Sequence, residues 1–177
     1  MAVTFGAGKI GNCAQFNGSS YLNTGTPPDF TLAGDWTVTG WARTPDPSGV
    51  QQTIVSRSGR FEFRVYFAEG NIGANAYDSS DIVLTAAANT WSYFRLAFVS
   101  GTQTIEFEIN NDGNVQTASP GGDVEDSGAP VLIGTQDQGG GPANFLTGDV
   151  DAIKIWSRLL TSGEQAEDYN GGAGLEF

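Results

Sequence analysis

Glu106 and Glu108 stand two residues apart in TIEFEIN, residues 104–110, inside a run that alternates apolar and polar side chains. Alternate residues of a strand share a face, so the two carboxyls are neighbours on it. Two carboxylic groups about 5 Å apart are what retaining glycoside hydrolysis requires, one as nucleophile and the other as proton donor. The plainer reading is two solvated glutamates on a strand, and the usual exposure of Glu favours it. The chain contains no histidine, so imidazole-based triads and histidine metal sites are excluded. Its one cysteine, Cys13, is followed by Ala14 and Phe16. With no cationic cluster nearby to lower its pKa, it reads as a buried small apolar residue. Asp78 and Asp81 in YDSSD, and the run DVED at 123–126, read as solvated loop tips.

The elements that would carry these residues are short and numerous. In RFEFRVYFAEG, Phe61, Phe63, Val65 and Phe67 alternate with Glu62, Arg64 and Tyr66, and in TIEFEIN Ile105, Phe107 and Ile109 share the other face from the glutamates. WSYFRLAFVS and DWTVTGWAR alternate as well. Period two is the mark of half-buried strands. Turn residues punctuate the runs: PPD at 27–29, PDPSG at 45–49, EGN at 69–71, NNDG at 110–113 and SPGGD at 119–123,. The pattern predicts an all-β, antiparallel two-sheet β-sandwich. One short C-terminal helix is predicted near 162–169: Thr161 and Glu164 form a capping box, and the NGG that follows stops the helix,. The glycine-rich stretch from Gly134 to Asn144 reads as a long loop, too short to link two domains.

The 177 residues are expected to form one domain, residues 1–177, with a core large enough to need no disulfide or metal staple. Apolar residues make up 39% and charged residues 16%, which is a globular composition with too little charge for disorder. Eight basic residues against twenty acidic ones give a formal charge of −12. Such a field repels phosphate backbones and anionic lipid, arguing against nucleic-acid and membrane-surface roles. No apolar run approaches the roughly 20 residues of a membrane span. The opening MAVTFGAGKIGN lacks the pattern of a signal peptide, so synthesis in the cytoplasm without a leader is expected.

Several stretches together resemble one family. GKIGNCAQFNGSSYL, residues 8–22, is similar to the opening strand of laminin-G-like, concanavalin A-like jelly-roll domains, with Gly8, Gly11, Ala14, Phe16, Asn17, Gly18, Tyr21 and Leu22 in place. DWTVTGWAR resembles the family's strand with a central Trp, here Trp41. QTIVSRSGRFEFRVYF and NTWSYFRLAFVSGTQTIEFEINNDG resemble its middle strand pairs, and GDVDAIKIWSRLLTSGEQ its closing segment. The match spans nearly the whole chain in the family's order. Departures are Ser92 and Tyr93 where the family carries a histidine pair, and Ser20 in place of a frequent Asp.

The resemblance implies that the first and last strands pair in one sheet. It implies a non-catalytic recognition module that requires no cofactor, because the laminarinase-type enzymes of the same fold carry Glu-x-Asp-x-Glu. Here Glu106-Phe107-Glu108-Ile109-Asn110 lacks the Asp and ends on an amide. A structural Ca²⁺ at the seam between the ends is a further implication, with Asn17 and Asp151 as ligands,. The expected setting is a virion or extracellular surface, as in phage head, tail or fibre accessory proteins that decorate or attach. The partner would be a protein assembly or a glycan, met in many copies or as a homo-oligomer. The alternative is a lectin-like carbohydrate-binding module assisted by calcium. If the strands lie in one sheet as implied, their outward residues Trp41, Arg43, Glu62, Arg64, Tyr66, Tyr93 and Arg95 form one ligand-binding surface rich in arginine and aromatic rings,.

Overall fold

The alternating runs fold into strands whose apolar faces meet in one core. The computed structural model describes residues 2–26, 32, 34–57, 62–137 and 139–175. Phe61 and the expected turn at 27–29 lie outside these residues. In chain order the strands are β1 (Thr4–Ala7), β2 (Asn12–Asn17), β3 (Leu22–Asn23), β4 (Trp36–Arg43), β5 (Gln52–Arg57), β6 (Phe63–Ala68), β7 (Asn71–Asn75) and β8 (Ile82–Thr85). They continue with β9 (Ser92–Val99), β10 (Thr104–Ile109), β11 (Gln116–Ala118), β12 (Val131–Ile133), β13 (Gln136–Asp137), β14 (Pro142–Ala143) and β15 (Thr147–Trp156). One sheet has seven strands in the order β1-β2-β15-β4-β9-β10-β11, and the other has six in the order β3-β12-β5-β6-β7-β8. All pairings are antiparallel among the described residues.

The inner faces are those the alternation selects. Val38, Ala42, Phe94, Leu96, Phe98, Ile105 and Phe107 come from the seven-stranded sheet, and Val55, Phe63, Val65, Phe67 and Ile72 from the six-stranded one. Each such side chain contributes about 1.5–3 kcal/mol on leaving water. Trp36 anchors the middle, with its ring 5.4 Å from Phe63 and 6.1 Å from Phe98. Its indole N–H donates to the Tyr77 hydroxyl at 3.0 Å, which in turn donates to the Leu32 carbonyl at 2.9 Å. This partner lets a polar ring edge be buried without loss. Burial pushes the Tyr77 phenol up to about 12.

The implied seam exists. Asn17 pairs with Thr147 and Ala14 with Val150, so β15 lies between β2 and β4. A bulge between Asp151 and Lys154, with Ala152 at φ 47°, resets β15 so that Ile153 and Ile155 pack against the core,. Cys13 is buried, and that burial raises its thiol pKa. The segment read as a long loop at 134–144 instead holds the two-stranded hairpin β13–β14, tied by Thr135 Oγ1 donating to the Ala143 carbonyl at 2.7 Å.

The helix α1 (Ser162–Tyr169) forms where its end signals place it. Thr161 accepts from the Glu164 amide while the Glu164 carboxylate accepts from the Thr161 amide, and Asn170 closes the C-terminus in the left-handed region,. A short 3₁₀ turn, Asn170–Gly172, follows.

Candidate functional site

The expected single surface is divided between the two sheets. Trp41, Arg43, Tyr93 and Arg95 lie on β4 and β9 of the seven-stranded sheet, whereas Arg64 and Tyr66 lie on β6 of the six-stranded sheet. Two layers of a sandwich turn their outer faces away from each other, so these residues cannot form one surface. The alternation was right about which side of each strand faces outward, but it carries no information about sheet membership.

On the seven-stranded sheet the outward residues are covered. Rows of paired residues cross it: Asp151, Trp41 and Tyr93 form one, and Lys154, Thr39, Arg95 and Glu108 the next. Helix α1 lies over them. The Tyr169 ring stacks on Trp41 at 5.7 Å and an interplanar angle of 13°. Asp168 receives hydrogen bonds from Thr39 Oγ1 at 2.7 Å, from the Tyr93 hydroxyl at 2.8 Å and from Lys154 Nζ. Burial first, and then the Asp168 carboxylate, raise the Tyr93 phenol above its ordinary range. Arg95 is 4% exposed and is spent on two carboxylates: its Nη1 donates to Glu106 at 3.0 Å and its Nε to Glu108 at 3.3 Å.

That geometry corrects two expectations. Trp41, Tyr93 and Arg95 are enclosed rather than displayed, and Glu108 is buried rather than solvated, its other oxygen accepting from the Gly113 amide at 2.8 Å. Arg43 remains partly open, bonded to Asp149 at 2.7 Å and laid over the Trp91 ring at 4.8 Å. Glu62 is also buried. One of its oxygens accepts from the Ser127 amide, and the other lies 3.3 Å from Arg57 Nε as an ion pair without hydrogen-bond alignment. Asp126, read as a solvated tip, accepts from Arg57 Nη2 at 2.6 Å and from the Leu32 amide.

The implied calcium pair does not converge. Asn17 pairs with Thr147, and Asp151 is four residues further along β15, about 13 Å at the rise of a strand,. The Asn17 side-chain oxygen accepts from Ser19 and Ser20, and Asp151 accepts from the Ile10 amide at 2.8 Å. Among the described residues no group of three or more acidic or thiol side chains is placed to hold an ion. Asn17 and Asp151 therefore do not fit a shared Ca²⁺.

The six-stranded sheet presents a different outer face. Ser56, Arg64 and Asn75 are directly paired across β5, β6 and β7, and Thr53, Tyr66 and Gly73 form the adjoining row. The Tyr66 ring lies flat on Gly73, where a Cβ would come within 2.7 Å of the ring, so glycine makes the bed on which it rests. The Arg64 guanidinium covers the Tyr66 ring at 5.1 Å, and its Nε donates to Asn75 Oδ1 at 3.0 Å. Asp81 collects two donors, Asn75 Nδ2 at 2.7 Å and Arg64 Nη2 at 3.4 Å, close to the Tyr66 phenol. Burial and then this carboxylate hold the Tyr66 phenol above its usual range. Unlike Asp168, the Asp81 side chain is 47% exposed. Gln136 closes one side, its oxygen accepting from Gln51, Thr53 and Arg64. Three donors on one oxygen fix the orientation of the amide. Asn75, Asp81 and Gln136 were not anticipated as a group. The alternation in NIGAN, which sets Gly73 and Asn75 outward, was the available signal.

With this geometry in view, the comparisons fall into place. The family model described as Concanavalin A-like lectin/glucanases superfamily matches residues 16–164. The chain belongs to that superfamily. None of the curated proteins matches it. Among solved structures, the binding domain of Paraclostridial Mosquitocidal Protein 1 superimposes with a TM-score of 0.72 at 17% identity, covering 92% of this chain and 44% of that one. The native heptameric SAP-like pentraxin from Limulus polyphemus gives 0.66 at 18% identity, with 86% and 79% covered. The Ruminococcus gnavus IT-sialidase CBM40 bound to alpha2,3 sialyllactose gives 0.57 at 12% identity, with 75% and 80% covered. At these identities the superfamily member shares the fold with each of them. It spans less than half of the mosquitocidal protein's chain.

Proposed function

We propose that this chain is a non-catalytic recognition module that binds a glycan on the outer face of its six-stranded sheet, around Arg64, Tyr66, Asn75 and Asp81. The carrying observation is the contrast in closure. The domain seals one outer face with its own helix and leaves the other with an exposed carboxylate already bonded to Arg64 and Asn75. Hydroxyls both donate and accept, so a fixed carboxylate beside a guanidinium and an amide suits a sugar's vicinal pair. Two structural neighbours, a toxin binding domain and a carbohydrate-binding module bound to sialyllactose, support the same reading. The non-catalytic part rests on Glu106 and Glu108, both committed to the enclosed Arg95. Display in many copies on a virion or another surface is the setting we attach to this proposal, since repeated weak sites gain avidity.

A glycan array probed with the purified protein, followed by titration of the best binder, is the test. Asp81→Ala is expected to weaken binding about tenfold while leaving the melting temperature nearly unchanged, as for a contact at an interface hot spot, whereas Arg64→Ala, which removes the partner of buried Asn75, weakens binding and lowers the melting temperature together,. A parent protein that binds no glycan, or variants that bind as the parent does, overturns the proposal.

A further inference from the structure

A strand at the edge of a sheet turns half of its amides and carbonyls toward no neighbour, which makes it a template for another strand. The edges of the two main sheets are β1 and β11 on the larger and β3 and β8 on the smaller. Strand β8 lies against β10 and β11, so the sandwich closes on itself at that side. At the opposite side β3 is only two residues long. Strand β1 differs from both. The hydrogen bonds of Thr4–Ala7 run to β2, and the strand's other edge has no partner strand among the described residues.

Edges are ordinarily blunted by a charge, a proline or a bulge, and TFGA contains none of these. Phe5 faces Ala14 across the ladder, and Ala14 packs on the core, so the Phe5 ring lies on the inner side of the sheet,. It is nevertheless 67% exposed, beyond the cover of the smaller sheet. Charge favours the same edge. The chain has a formal charge of −12, yet residues 1–28 contain no Asp or Glu and a single basic residue. That residue, Lys9, is turned over the Trp41 ring at 4.7 Å. Two copies of so acidic a chain repel each other in general, but β1, β2 and the turn between them bring no carboxylate to an encounter.

We infer that β1 pairs antiparallel with β1 of a second copy of this chain about a two-fold axis, joining the two seven-stranded sheets into one continuous sheet. A two-fold contact needs a self-complementary surface, and a bare, uncharged edge is one. Inner and outer sides must match across the new ladder, so residues of like alternation oppose each other. With the axis at Phe5, Phe5 faces Phe5 of the second copy, Thr4 faces its Gly6, and the two exposed rings cover each other. The axis then runs normal to the sheet and keeps both smaller sheets on one side. On the glycan reading of the Arg64 face, the pair presents two sites in one direction, which gives avidity on a dense surface.

Sedimentation velocity of the parent protein from about 1 to 100 μM is the test, because association follows mass action. A species of twice the chain's mass is expected, growing with concentration. Phe5→Glu sets two carboxylates across the axis and should return the protein to single chains with its circular dichroism unchanged, since the ring is exposed. Val83→Glu, on the β8 edge, should leave the pair intact. Phe5→Cys reads the register. Opposed Cα atoms of an antiparallel pair lie about 4.5–5.5 Å apart, within disulfide range, so mild oxidation should link two chains. The buried Cys13 stays out of that reaction. A parent that is a single chain throughout, a pair that survives Phe5→Glu or is lost equally in Val83→Glu, or a Phe5→Cys protein that does not cross-link overturns the inference. None of these readouts needs a sugar, so the pairing and the glycan reading fail separately. Where a glycan binds, Phe5→Glu should keep the affinity for free sugar and lose at least about tenfold on a dense glycan surface; equal binding there overturns the two-site arrangement.

Discussion

Tyr93 and Tyr66 are outward residues of inner strands in opposite sheets, and each lies beside an aspartate paired with a basic side chain. Asp168 serves Tyr93, with Lys154 as the counter-charge; Asp81 serves Tyr66, with Arg64. In both places burial and the carboxylate push the phenol pKa upward. The difference is access. The Asp168 side chain is 7% exposed beneath helix α1, whereas Asp81 is 47% exposed at a loop. Tyr66 and Tyr93 are both buried, at 4% and 2% exposed, so what differs is the carboxylate, sealed beneath the helix at Asp168 and open to solvent at Asp81. Chemistry alone does not separate the two; the solvent reach of the carboxylate does.

The comparison breaks first at Asp168. Asp168→Ala removes the carboxylate that Lys154, Thr39 and Tyr93 share, and loss of one partner of a buried ion pair costs about 3–5 kcal/mol. Denaturant unfolding should show a destabilisation in that range, and the fraction that remains folded should keep glycan affinity. A loss below 1 kcal/mol would mean that the helix is not pinned by this residue. Next is Gly73→Val, which drives carbon into the Tyr66 ring. Overpacking of this kind costs about 1–3 kcal/mol. This variant should lose stability and binding together, in contrast to Asp81→Ala at the exposed carboxylate, which loses binding alone. The smallest effect concerns the helix cap. Two hydrogen bonds from Arg158, and then those from Thr161, lower Glu164 from 4.5 to about 2. A depressed carboxylate stabilises fully above its unfolded pKa and loses that contribution as pH falls through the folded value. Melting temperatures of the parent and Glu164→Gln should therefore differ by a constant margin above about pH 5 and converge toward pH 2. A margin unchanged down to pH 2 would show that the cap owes nothing to the charge.

Much of the fold was legible because alternation reports directly on which side of a strand meets the core. Phe94, Leu96, Phe98, Ile105 and Phe107 all point where the pattern places them. The Thr161–Glu164 cap and the Asn170 stop were readable for the same reason, being local. The site was not local. Arg64 and Trp41 both stand at outward positions of alternating strands, and only the pairing order puts them in different sheets. Outward was also taken to mean exposed, but helix residues such as Asp168, 75 positions beyond Tyr93, cover Tyr93 and Trp41, the β10 glutamates enclose Arg95, and Arg64 overlies the buried Tyr66. Asp81 looked like one acidic residue of a turn because its partners Arg64 and Asn75 reach it from other strands.

The position of β15 has a consequence in time. It is the last strand in sequence but the third in its sheet, between β2 and β4. Until residues 147–156 have been made, the β1–β2 hairpin has no neighbour, and β4 shows an open edge beside β9. Pairing over such sequence distances is slow, and a long unpaired edge invites association with other chains. The centre of the larger sheet is therefore expected to assemble late in synthesis, with β2 left open on the ribosome longer than any other inner strand of that sheet, and β4 next.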